Sequence, residues 1–311
     1  MSLEIPVTGI AGSTVYRLHR LPRYEDLVTF LTSSAFPTSL RPFLDEHLTG
    51  VSGDSDIEAI NTYFDAEMSR LINDLPATSP ARVYLALGKD FETIKRHSLE
   101  NKEHGKEFGV KGLMATLDAA RSELYYSQEF RSELLAKEDR ISKSTELFGL
   151  ISYLEEAYLA ILYRQLSQSN DYFRSVAVAK INTYSFMSAI KRTEKGQAKD
   201  HILAHALPIQ GVPAITALKA FGFGDIVGEI GSFLEIPGTE ISVARIESEL
   251  LAREIRTINK ATYHGVADER IVQYAEQLYH LFANIKLAYF QKMFAGSEEE
   301  TVLRMINYTQ L

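Results

Sequence analysis

The sequence predicts an all-α protein, and three observations carry that reading. Apolar residues recur at spacings of three and four along most of the chain. Alternating β-branched runs are short. Turn-rich breaks at Leu48 to Ser55, Lys102 to Gly112, Leu207 to Pro213 and Ile236 to Thr239 separate the periodic stretches without any change in composition. At 311 residues the chain has room for about two domains or for an array of repeated units.

In chain order, Ile57, Ile60, Phe64, Met68, Leu71 and Ile72 mark one helix, and Ser55 with Glu58 forms a capping box at its start. Pro76 and Pro80 end that pattern. Ser79 then reads as an N-cap and Pro80 as a first-turn proline, opening a helix through Val83, Leu85 and Leu87. Gly88 falls inside it and is a candidate kink. Leu147, Leu150, Ile151, Leu154, Tyr158, Ile161 and Leu162 make a second stripe, with Glu155 and Glu156 near its middle. A third stripe is Tyr274, Leu278, Leu281, Phe282, Ile285 and Tyr289. Ser297 and Glu300 predict one more capped helix, Glu300 to Asn307.

Composition excludes several function classes. Hydrophobic residues are 45% and charged residues 24%, as in a soluble globular chain. The net charge of −8 argues against a nucleic-acid partner. With no cysteine, disulfides, thiolate metal sites and cysteine nucleophiles are ruled out. Glu4 and Pro6 spoil a signal peptide, and no apolar run is long enough to predict a membrane span.

Three blocks share one layout: an amphipathic helix, a turn, then a second helix with an apolar and basic tail running to a glycine. The tails are KDFETIKRHSLENKEHG from Lys89, KINTYSFMSAIKRTEKG from Lys180 and HLFANIKLAYFQKMFAG from His280. Aligning Asp90, Asn182 and Leu281 gives spacings of 92 and 99 residues. The predicted repeats are residues 1–105, 106–200 and 201–311, each a small helical bundle stacked on its neighbours.

At these tails the sequence resembles the C-type central-stalk component of the V/A-type ATPases (ATP synthases), the relative of the d component of vacuolar ATPases. That family has three degenerate helical repeats, each carrying an acid-apolar-x-Asn-apolar-basic pattern and a basic, glycine-ended tail. The third copy here has Phe282, Ala283, Asn284, Ile285 and Lys286, followed by Lys292 and Gly296. The first keeps Asp90, Phe91, Ile94, Lys95 and Arg96, with Thr93 in place of asparagine. The second keeps Lys191 and Arg192, with Asn182 and Ser185 at the acid and asparagine positions. LPIQGVPAITALKAFG from Leu207 is similar to the family's lead-in to its third repeat, and Tyr24 to Leu44 to its opening helices.

The resemblance implies a funnel-like, non-catalytic rotor part that needs no cofactor. One face sits on the cytoplasmic side of the membrane proteolipid ring, and the other receives the shaft built by subunits D and F. Such a part is cytoplasmic and peripheral to the membrane, and passes torque for ATP-driven ion or proton transport, or for ATP synthesis. The candidate partner-binding residues are Lys95, Arg96, Lys191, Arg192 and Lys286, which recur at related places in the tails. Their plain alternative is cations that suit a helix C-terminus.

Catalytic motifs are not satisfied. His201 and His205 share a helix face at a spacing that suits zinc, but Ile202 stands where a metalloprotease needs glutamate. Glu276 and His280 have the same four-residue spacing and read as structural. Gly222, Gly224 and Gly228 fit neither a dinucleotide fingerprint nor a phosphate loop, and read as a turn between helices. Two rivals stand beside the rotor reading: an unrelated all-α scaffold, and a helical metal-dependent enzyme using His201 and His205.

Overall fold

The computed structural model describes residues 2–9, 12–19, 21–33, 36, 40–48, 56–103, 110–138, 147–205, 209, 211–260, 267–293, 302 and 305–309. Local chemistry sets the helix ends. Ser79 Oγ accepts from the Arg82 amide at 3.1 Å, so the serine caps and Pro80 opens the helix as predicted. Asn170 caps a second long helix through the Phe173 amide at 3.0 Å. That helix closes on Gly196 at φ 72°. The Gln197 amide reaches back to the Arg192 carbonyl and the Gly196 amide to the Thr193 carbonyl, a Schellman ending that only glycine adopts without strain.

Thirteen α-helices are present among the described residues. They are α1 (Tyr24–Leu31), α2 (Leu40–His47), α3 (Asp56–Asp74), α4 (Pro80–Glu103), α5 (Val110–Ala119), α6 (Ser127–Leu135), α7 (Leu147–Leu166), α8 (Asp171–Glu194), α9 (Lys199–His205), α10 (Pro213–Ala220), α11 (Ile226–Phe233), α12 (Val243–Asn259) and α13 (Ala267–Met293). A 3₁₀ turn covers Gly238–Glu240. All three predicted stripes lie on helices, α3, α7 and α13, and the all-α reading holds for the body of the chain. Helix α4 runs through Gly88 without a break.

Two predicted features differ. An antiparallel hairpin, β1 (Ser2–Gly9) and β2 (Gly12–His19), pairs Ser2 with His19 through to Gly9 with Gly12. Gly9 and Gly12, the last paired residues of the two strands, are its signal in the sequence. At the other end, Ile306 and Asn307 are irregular rather than helical. Both backbone groups of Ile306 are taken by one side chain: its amide donates to Asn284 Oδ1 at 2.9 Å and its carbonyl accepts from Asn284 Nδ2 at 2.8 Å. That exchange replaces the helical ladder. The Ser55 and Ser297 caps and the glycines ending the first and third tails lie outside the described residues.

Packing divides the chain into two units, Met1–Leu75 with Ser248–Leu311, and Pro76–Glu247. In the first, α3 packs on α13, and α1 and β1 also meet α13. Tyr63 and Phe64 meet the Phe282 ring edge-on, and Leu278, Leu281 and Ile285 are buried beneath. Buried Glu67 holds Arg70 through two bonds, of 2.8 and 2.7 Å, and accepts from the Tyr274 hydroxyl. In the second unit α7 is central and packs on α4, α6 and α8. It buries residues around most of its circumference, which suits an internal helix.

The long helices α4, α8 and α13 share one device. Each holds a segment of chain further on with a single polar side chain. Asp90 on α4 accepts from the amides of Tyr125, at 3.0 Å, and Tyr126, at 2.6 Å, at the start of α6. Asn182 on α8 accepts from the Ala214 amide at 3.0 Å, in the first turn of α10. Asn284 on α13 holds Ile306. The N-cap residues of α6 and α10, Tyr126 and Val212, make no side-chain cap of their own. Asp90 and Asn182 therefore supply from a distance the acceptors that helix starts require.

Burial raises the Asp90 carboxyl to about 6, and the two backbone amides lower it only in part. An unfolded aspartate titrates near 3.9. The folded chain holds the extra proton between those values, so stability from this group is fully present below about pH 4 and is lost as the pH rises through about 6. Asp90→Asn keeps an acceptor and removes the charge. In denaturant melts the stability difference between variant and wild type should move toward the variant by up to about 3 kcal/mol from pH 4 to pH 7. A difference independent of pH would refute the assignment.

Candidate functional site at the tails of the long helices

The tail of α8 ends beside a buried polar cluster. Glu156, on α7, is 1% exposed. Its Oε1 lies 3.0 Å from His205 Nδ1 on α9 and accepts from the Tyr184 hydroxyl at 3.2 Å. Lys137 Nζ lies 3.5 Å from its Oε2, and an Arg192 nitrogen 3.9 Å from its Oε1. Ser152 Oγ joins the cluster, 2.9 Å from the Tyr184 hydroxyl and accepting from Arg192 at 3.1 Å. Burial, first, and then the nearby Glu156 charge push the Tyr184 phenol well above its ordinary range. A buried carboxylate with two cations and two hydrogen-bonding side chains around it meets the demand that buried charge be paired and hydrogen-bonded.

The five predicted tail cations fall into different settings. Lys191 is exposed on α8 and Lys95 is half-buried on α4. Burial raises the Glu155 carboxyl, and Lys191 and Lys95 pull it back, so both stand near this one acid from two neighbouring helices. Lys95 also lies over the Phe91 ring, 5.5 Å from its centre, and 3.4 Å from Glu92. Phe91 in turn stacks on Tyr158 at 5.0 Å. Arg96 is exposed and sits 3.8 Å from Glu123. Lys286, half-buried on α13, belongs to the other unit. Arg192 turns inward: its side chain is 12% exposed and donates to Ser188, Gln197 and Ser152. Its contacts are internal, whereas Lys191 beside it is exposed.

The histidine pair packs ring against ring. The His201 and His205 rings meet edge-on at 4.8 Å, and the His205 ring lies 5.2 Å from that of Tyr153. Among the described residues, no group of three or more His, Cys, Asp or Glu is placed to hold a metal ion. Glu276 and His280 approach to 3.8 Å within α13. The glycine stretch is a turn: Asp225 caps α11 through the Gly228 amide at 3.0 Å. Glu229 accepts from the Gly222 and Phe223 amides at 2.6 and 3.0 Å. Those carboxylates fill the place a phosphate would need. A cavity of about 130 Å³ opens between α5 and α6, lined by Arg121, Arg131 and Asp118, and Asp118 pairs with Arg131 across it.

Compared with known protein families and with curated proteins, the chain finds no match in either. No helix among the described residues is long and apolar enough to cross a membrane.

Sequence reasoning missed the cluster around Glu156. Its signal was present: two acids in the middle of a helix whose other faces are apolar. The two adjacent cations now separate cleanly. Lys191→Glu should leave the melting temperature within a few degrees of wild type, since exposed charges contribute about 1 kcal/mol or less. Arg192→Glu places a third carboxylate beside Glu155 and Glu156 and should cost about 3 kcal/mol or more. Equal effects in thermal melts of the two variants would contradict the inward setting of Arg192.

Proposed function

We propose that this chain is a non-catalytic central-stalk component of a V/A-type rotary ATPase. It would couple a central shaft of subunits D and F to the membrane proteolipid ring, and so sit peripherally on the membrane through that ring. The observation that carries the reading is the recurrence of one device on three long helices, where Asp90, Asn182 and Asn284 each hold a later segment. Asp90 and Asn182 occupy the same position of the tail alignment, and Asn284 lies one turn further on.

The layout of the helices supports the same reading. A helix of 19, 20 or 17 residues precedes one of 24, 24 or 27. The first described residues of both members recur at intervals of about 91 and 96 residues. Within the units, α7 packs on the long helix before it, α4, and α3 packs on the last long helix, α13. Close-packed helices deform little, which suits a part that passes torque. Lys95, Arg96, Lys191 and Lys286 are the residues proposed to meet acidic or carbonyl groups of a partner, while Arg192 is engaged internally.

A second reading, an unrelated helical scaffold, is favoured by the two-unit division. Its boundaries fall after Leu75 and after Glu247, not between the proposed repeats. Native mass spectrometry of the tagged chain, gently extracted from its own host's membranes, separates the two. Co-isolation with shaft subunits and a proteolipid ring is expected. A lone chain, or one carried with unrelated soluble proteins, would overturn the rotor reading.

A further inference from the structure

His205 closes a short helix onto the buried cluster, and the charges around it are unequal. The groups facing it include Glu156 and Tyr153 from α7, with Glu155 next to Glu156 in sequence, Tyr184 and Arg192 from α8, and Lys137 from beyond α6. His201 lies against it on α9, whose other charged residues are Lys199 and Asp200. A carboxylate oxygen only accepts, so the 3.0 Å contact makes His205 Nδ1 the donor. Lys137 and Arg192 already place two cations on Glu156. A third, on an imidazole 2% exposed, would lose its hydration and meet two like charges for one shared carboxylate.

We propose that α9 is an acid-releasable latch: His205 holds it to the α7–α8 core as a neutral imidazole, and a proton taken up at Nε2 sets it free. The geometry beyond His205 agrees. Lys199, at the other end of α9, donates to the carbonyls of Lys219 and Phe221, so α9 also ties down the C-terminal end of α10. Opening α9 releases the contacts at both of its own ends, Lys199 and His205. A histidine in the opened segment takes up a proton near pH 6.5. The open state then binds more protons than the closed one, and the latch weakens as the pH falls below that value. The latch does not depend on the rotor reading.

Hydrogen exchange of the α9 amides, referred to those of α8 in the same full-length chain, tests it. Protection of α9 should fall about tenfold for each pH unit below about 6.5, the effect of one proton. His205→Gln keeps a donor for Glu156 without the titration, and should flatten the profile. His201→Gln should keep the slope. A flat wild-type profile overturns the latch, and so does a slope that persists in His205→Gln, which would assign it to Glu156. Should His205→Gln not fold, the ¹⁵N shifts of the wild-type ring decide: a neutral His205 in the folded chain at pH 7 is expected, and a charged one overturns the proposal.

Discussion

A polar side chain buried on a long helix loses its water, and at Asp90 and Asn284 the backbone of a segment 22 to 36 residues further on takes the water's place. Asp90 is 0% exposed and Asn284 2%, so neither has water to fall back on. The same contacts satisfy helix starts that carry no cap of their own. Tyr126 and Val212 have no side-chain oxygen suited to capping the next turn, yet α6 and α10 begin there. Each contact thus meets two needs, and each fixes where a long helix and a later segment dock. The apolar stripes supply the cohesion, while these contacts set the register.

Burial of charge follows the same rule in both units. Glu67 is surrounded by Arg70 and Tyr274 in one, and Glu156 by Lys137, Arg192, His205 and Tyr184 in the other. Each carboxylate is held by residues from more than one helix. Such clusters add little net stability over apolar packing, but removing one partner leaves an uncompensated charge. They therefore specify which helices meet, and the Glu156 cluster does so at the tail the sequence singles out around Lys191 and Arg192. The rotor reading depends on that specification, since a coupling part must hold one shape under load.

Much of this is legible in the sequence because helical period reports burial directly. Tyr274, Leu278, Leu281, Phe282, Ile285 and Tyr289 read as one face, and all but the half-buried Tyr289 are buried. The Ser79 cap and the Gly222 to Gly228 turn follow from local rules. What is not legible depends on distant partners. Nothing in the residues around Tyr126 says that Asp90 will cap them. The ending at Ile306 reads as helix until Asn284 takes its backbone groups. Arg192 reads as a surface cation because its neighbours in sequence are charged, and only the packing of α7 against α8 brings it to Glu156. The N-terminal hairpin does carry a period of two in Leu3, Ile5 and Val7, but the run is short, holds Pro6 and stands beside a chain dominated by helical period.

Side chains of the three long helices hold later segments in place through their backbone amides, and on that claim the rest depends. Residue-resolved native-state hydrogen exchange at Tyr125, Tyr126, Ala214 and Ile306 tests it most directly. None of these amides belongs to an intrahelical ladder. The account predicts protection close to that of the core amides of α4, α8 and α13. Rapid exchange at these four positions, as in open turns, would contradict it.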